Sequence, residues 1–297
     1  MTNDIRDTII TAIEVSKYSK VPMLFIANPG LGKTTIINEY GKRNNMHVES
    51  LIGSAFDRSE VLGYQVNNGG ESLKILRPQW FQSIKNAAAK KQASILFIDE
   101  LSTAPADVQG SLFRLISERT IGNGEELPDD CIVLSAANYK DNLPAYFEIT
   151  SPSLNRFCII NLTPKSNEAF IDEFLSTEKE RTANWPKFKD YKLTDEFAEK
   201  AQKKVKDFFT NLFTAYTNGG DSSKGTLDIN NKSFNEMYSA DLAKNKEVLN
   251  FISGRSMACF LRIVTTAAIL GVSAKSSFIE SMADGLIGCG TNNKIEL

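Results

Sequence analysis

The residues best suited to chemistry lie in Asn28-Pro29-Gly30-Leu31-Gly32-Lys33-Thr34-Thr35. An apolar run, Met23-Leu24-Phe25-Ile26, precedes them and Ile36-Ile37-Asn38-Glu39-Tyr40 follows. A buried strand, a glycine-rich turn, Gly-Lys-Thr and a helix in that order form the phosphate-binding loop pattern. Glycines let backbone N–H groups curl around phosphate oxygens, and the helix N-terminus adds partial positive charge. Lys33 is placed to reach the β- and γ-phosphates of a nucleotide, and the Thr34 hydroxyl to meet Mg²⁺. The pattern asks for glycine at position 27, where this chain has Ala27, the smallest side chain that still carries a Cβ.

Three later stretches add polar chemistry at the ends of apolar runs. Ser94-Ile95-Leu96-Phe97-Ile98-Asp99-Glu100 reads as a buried strand that delivers two carboxylates to its C-terminal end, where open α/β sheets bind ligands. Asp99 suits the acid associated with Mg²⁺, and Glu100 the base that polarises an attacking water. Ile132-Val133-Leu134-Ser135-Ala136-Ala137-Asn138 is a second such strand, ending in an amide that can hold a water or touch a γ-phosphate. Arg156 precedes a last strand, Cys158-Ile159-Ile160-Asn161-Leu162, and is either a plain surface arginine or one directed at a neighbour's nucleotide.

The elements that must position these groups follow from periodicity. Ile5, Ile9, Ala12 and Ile13 recur at helical spacing, so an amphipathic helix opens the chain. His47–Leu51 alternates as a strand, and His47 reads as structural. Tyr64 to Val66 and Leu73 to Leu76 flank Asn67-Asn68-Gly69-Gly70 as a hairpin, either a connection or an interaction device. A helix starts at Arg77-Pro78-Gln79-Trp80, and Val108, Leu112, Leu115 and Ile116 mark another. Thr120 to Asp130 predicts a second hairpin-like excursion. Beyond residue 165 the pattern is helical, with Phe197, Ala201, Val205, Phe208 and Leu212 on one face and a last helix from Ser253-Gly254-Arg255-Ser256. Residues 217–236 are rich in Asn, Gly, Ser and Lys and read as a polar insertion. The expected fold is an α/β, phosphate-loop parallel sheet flanked by helices over residues 1–164, then a helical lid over 165–297.

Composition narrows the class. Of 297 residues, 42% are apolar and 24% charged, which suits a globular protein. A formal net charge of −2 disfavours non-specific nucleic-acid binding by the bulk field. Cys131, Cys158, Cys259 and Cys289 form no CxxC pair, and with one histidine a zinc site is disfavoured. Three of those cysteines lie in apolar contexts and read as reduced core residues. No apolar h-region opens the chain and no apolar run reaches spanning length, so the expectation is a cytoplasmic protein without membrane association.

Taken in order, these features resemble the AAA+ ATPases, and within them the MoxR group and its dynein-related relatives. Asn28 to Thr35, Asp57 to Tyr64, Arg77 to Trp80, Leu96 to Leu101 with Ala104-Pro105, Ser117-Glu118-Arg119, Ala136 to Asn138, Leu154 to Phe157 and Ser253 to Arg255 carry the resemblance. It implies an ATP and Mg²⁺ enzyme. Asn28, Pro29, Gly30, Leu31, Gly32, Lys33, Thr34 and Thr35 would bind the nucleotide, with Thr34 and Asp99 at the metal. Glu100 would be the catalytic base, Asn138 the first sensor, Arg156 an arginine finger acting on an adjacent subunit, and Arg255 the second sensor on the lid. The two hairpin excursions would match the clade's insertions. It further implies a homo-oligomeric ring, mostly hexameric, that remodels or matures protein partners, often with a von Willebrand factor A domain partner. The alternatives are a slowly hydrolysing assembly switch and, less favoured, a nucleic-acid motor or loader.

Overall fold

A computed structural model describes residues 4–67, 69–70, 73–122, 124–138, 156–162, 185–186, 188, 254–273, 276–279 and 281–282. The chain opens with α1 (Asp4–Ser19), β1 (Met23–Ala27), α2 (Lys33–Arg43) and β2 (His47–Ile52). It continues through α3 (Arg58–Leu62), the hairpin strands β3 (Tyr64–Asn67) and β4 (Leu73–Leu76), α4 (Gln79–Ala89) and β5 (Ser94–Asp99). α5 (Ala106–Glu118), β6 (Cys131–Asn138), β7 (Cys158–Leu162) and α6 (Gly254–Leu270) complete the described elements. The helical face at 197–212 and the insertion at 217–236 lie outside the described residues.

Five strands form one parallel sheet in the order β2-β5-β6-β1-β7. Parallel strands are joined by helical crossovers that cover both faces, which is why the inner strands β1, β5 and β6 read as near-continuous apolar runs, whereas β2 at the sheet edge is mostly half-buried and alternates. Met23, Phe25 and Ala27 point to one face, packed with Ile9 and Ile13 of α1, Ile36 and Ile37 of α2, and Ile263 and Ala267 of α6. Leu24 and Ile26 point to the other, packed with Phe81 and Ile84 of α4 and Val108, Leu112 and Leu115 of α5. The expected fold class therefore holds for the α/β part.

The hairpin is present as an antiparallel pair with Tyr64 opposite Leu76. The second excursion is a short loop after α5, closed by one bridge between Thr120 and Glu126 and by Leu127 N–H donating to the Arg119 carbonyl at 2.7 Å. The two are joined: Gly122 N–H donates to the Leu62 carbonyl at 3.0 Å, and Arg77 pairs with Glu125 at 2.8 Å. None of the described helices is long and apolar enough to cross a membrane.

Candidate functional site

All five strands run the same way, so their C-terminal ends meet at one sheet edge. Register puts Ala27 beside Asn138 and Ile52 beside Asp99. The loop from Asn28, the acids Asp99 and Glu100 at the end of β5 and the amide ending β6 therefore leave the same edge, a consequence of strand direction alone.

In the loop, Gly30 has φ 83° and Gly32 φ 74°, backbone that L-residues rarely adopt. A Cβ on either would meet no protein atom within 4 Å, so backbone conformation, not crowding, demands glycine. Asn28, Pro29 and Gly30 are exposed, Leu31 is buried in the core and anchors the loop, and Thr35 is exposed. Gly32 caps α2, and its carbonyl accepts the Ile36 N–H at 2.9 Å. Lys33 is buried, 7% exposed, with Nζ 3.5 Å from the Asn28 carbonyl. Burial pushes its pKa down from 10.5, while the Asp99 and Glu100 carboxylates push it up. A buried ammonium so sparsely bonded fits a ligand that brings negative charge.

The Thr34 hydroxyl donates to Asp99 Oδ2 at 2.9 Å, joining two segments 65 residues apart. A hydroxyl and a carboxylate oxygen in contact are hard donors of the kind Mg²⁺ takes. With the exposed glycine amides and Lys33 beside them, the residues present fit a Mg²⁺-nucleotide. Asp99 Oδ1 also accepts the Glu100 N–H at 2.9 Å, which holds the carboxylate in place.

Glu100 adopts a left-handed conformation, φ 54° and ψ 38°, where a non-glycine residue is uncommon. The turn is stitched from behind: Thr103 Oγ1 donates to the Glu100 carbonyl at 2.8 Å and Thr103 N–H to the same oxygen at 3.0 Å. The Glu100 side chain receives a hydrogen bond from the Ser54 hydroxyl at 3.1 Å. Sequence reasoning missed Ser54. Its only signal is position, two residues past the end of a strand that pairs with β5. Gly53 beside it is tightly packed, because a Cβ there would sit 3.0 Å from the Glu100 carbonyl and 3.1 Å from the Ala104 Cβ. Asn138 is half-buried, and its backbone N–H donates to Ser102 Oγ at 3.3 Å.

Two expected site residues are not brought to this edge. Arg156 precedes β7, whose Cys158 is registered with Met23 at the start of β1. Five registered pairs at about 3.3 Å per residue separate it from the phosphate loop, farther than one arginine reaches. Phe157 anchors it, fully buried and edge-on to Phe113 with ring centroids 6.2 Å apart. Arg255 lies in the first turn of α6. That helix runs along α1, with Arg262 donating to the Ser19 carbonyl near the start of β1, so the backbone at Arg255 lies toward the edge away from the phosphate loop. The second-sensor reading of Arg255 gains no support from this placement.

Residues 22–146 match the AAA domain family, dynein-related subfamily. No curated protein matches the chain. Among solved structures, a candidate ATPase from Cytophaga hutchinsonii is 16% identical, with a TM-score of 0.46 over 96% of this chain and 90% of that one. A full-length MCM homolog from Methanopyrus kandleri is 14% identical, with a TM-score of 0.46 over 91% of this chain and 58% of that one.

Proposed function

We propose, from the match of residues 22–146 to the AAA domain family, dynein-related subfamily, that the protein binds Mg²⁺-ATP at the β1–α2 loop and hydrolyses it. The observation that carries the reading is the Thr34–Asp99 contact at 2.9 Å. It closes the phosphate loop onto the acid strand, as nucleotide hydrolysis requires.

In this mechanism the loop amides and Lys33 hold the β- and γ-phosphates, and Thr34 and Asp99 hold the metal. Mg²⁺ held by Thr34 and Asp99 would supply positive charge to the phosphate oxygens. Glu100 takes the proton of the attacking water, and Asn138 orients that water or the γ-phosphate. Arg156, on the far edge of its own sheet, serves the site of an adjacent copy in a ring, hexameric by family habit. The work done is remodelling or maturation of a protein partner, including one with a von Willebrand factor A domain. In the test, Glu100→Gln keeps ATP affinity and lowers turnover by about 10²–10⁴-fold, because glutamine keeps the shape and removes the base. Unchanged turnover would remove Glu100 from the mechanism.

A second reading is favoured by one contact. Ser54 holds Glu100 by its side chain, which suits a slowly hydrolysing assembly switch whose base is released only when a partner engages.

A further inference from the structure

Gln109 lies in α5 between Val108 and Leu112 of the core and is only 4% exposed. Burying an amide costs free energy unless it is hydrogen-bonded, so an apolar side chain would fill this place at lower cost. The Gln109 Nε2 donates to the Leu101 carbonyl at 3.3 Å, eight residues back along the chain.

Helix geometry explains the reach. α5 starts at Ala106, and the Gln109 N–H donates to the Pro105 carbonyl at 2.8 Å. Side chains in a helix lean toward its N-terminus, so a long residue one turn in reaches back over the helix start. The short 3₁₀ turn Leu101–Thr103, which follows the acid pair, lies there.

That turn carries the backbone cost of Glu100, whose φ is 54°. A non-glycine residue keeps such a conformation only where its surroundings over-determine it. Thr103 binds the Glu100 carbonyl from within the turn. Ser102, fully buried, accepts the Asn138 N–H at 3.3 Å and ties the turn to β6. The Leu101 carbonyl accepts the Ala104 N–H at 3.4 Å, beyond the usual range for such a bond. Gln109 adds a second donor to that buried carbonyl and fixes the turn against α5. Displacing the Leu101 carbonyl moves the residue next to Glu100 and re-aims its carboxylate.

We propose that Gln109 is a positioning residue: by holding the Leu101 carbonyl it fixes the left-handed turn that aims the Glu100 carboxylate. It acts through the backbone of the turn and not on the nucleotide. The proposal rests on the base role given to Glu100 above.

The test uses the full 297-residue chain. Gln109→Leu keeps much of the volume and removes the donor, and Gln109→His keeps an N–H at similar reach. Arg114→Gln, on the exposed face of α5, is the control. Hydrogen exchange read by mass spectrometry follows the Thr103 and Ala104 amides, which bond the Glu100 and Leu101 carbonyls. Gln109→Leu should speed exchange in this turn about tenfold while β1 and β6 keep wild-type exchange, and Gln109→His should reverse part of the rise. In parallel, Gln109→Leu should lower kcat for ATP about tenfold or more with KM within about twofold, and Gln109→His should restore part of it. A side chain that only fills volume predicts wild-type values for Gln109→Leu in both readouts. Unchanged exchange in the turn, or a rise shared by the whole sheet, overturns the proposal whatever the turnover. Faster local exchange with unchanged kcat also overturns it, because the turn then moves without consequence for Glu100. A wild-type chain that does not hydrolyse ATP overturns the base role instead, and the exchange readout then decides alone whether Gln109 holds the turn.

Discussion

Lys33, Asp99 and Glu100 share one small space, and the balance of their charges explains why each is held by something else. Lys33 loses solvent, Asp99 takes the Thr34 hydroxyl and the Glu100 N–H, and Glu100 takes the Ser54 hydroxyl. Ser54→Ala is expected to raise unstimulated ATP turnover by up to about tenfold, because one hydrogen bond to a charged group no longer restrains the base. A fall, or no change, would show that the contact does not hold Glu100 back. The cysteines give a second expectation at this scale. Cys131 is pushed up to about 12 and Cys158 well above the ordinary value of 9.0, both chiefly by burial. Well below pH 9 both thiols are largely neutral in both states, with only the unfolded thiols carrying a small thiolate fraction. As pH rises toward 12 the unfolded thiol ionises first, so stability falls over that window. Alkylation at pH 8 should leave both unmodified in the native protein and label both after denaturation, as peptide mapping would show.

Among the elements, the joint between α3 and the hairpin is the most constrained. Gly63 has φ 96°, and a Cβ there would lie 2.6 Å from Ile75 Cγ2 and 2.7 Å from the Leu76 carbonyl. The Leu62 carbonyl on its other side accepts the Gly122 N–H, so the hairpin and the loop after α5 are seated together. Gly63→Ala combines left-handed strain with a backbone clash and should cost about 1–3 kcal/mol of stability or displace the hairpin. Thermal denaturation with limited proteolysis of the hairpin tests this. A variant with wild-type stability and wild-type cleavage would mean that the joint is not rigid. The exposed Tyr64 and Leu76 at the hairpin base make this element the natural place for partner contact in the remodelling reading.

At the scale of the whole molecule, the sheet has two chemically distinct edges. One carries the phosphate loop, Asp99, Glu100 and Asn138; the other carries Arg156. In the proposed reading Arg156 acts on the site of a second copy, because its own phosphate loop lies at the opposite edge. Arg156→Ala should bind ATP yet hydrolyse it on the order of 10³–10⁵-fold more slowly. Lys33→Ala should be inactive with its arginine intact. Mixing the two, once subunit exchange and assembly are demonstrated, should restore part of the activity. No recovery at any ratio in confirmed mixed assemblies, or wild-type turnover by Arg156→Ala alone, would refute the intersubunit role.

The phosphate loop, the acid pair and the amide ending β6 were legible in sequence because each closes a near-continuous apolar run. A parallel strand buried on both faces has no alternative pattern, and its C-terminal end is where polar groups must emerge. The local order strand, glycine turn, Gly-Lys-Thr, helix needs only neighbouring residues to specify it, so Ala27 to Tyr40 determined their own conformation. What tertiary structure alone decided is everything set by which strands lie side by side. Ser54 meets Glu100 because β2 pairs with β5, although 46 residues separate them. The hairpin and the loop after α5 meet through Gly122 and Glu125, which carry no pairing signal of their own. Among the described residues, Lys20, Arg119, Arg156 and Arg262 line one cavity although they follow, precede or lie in different elements, which only packing at the opposite edge brings together. Periodicity records which face of an element is buried; it carries no record of the partner that buries it.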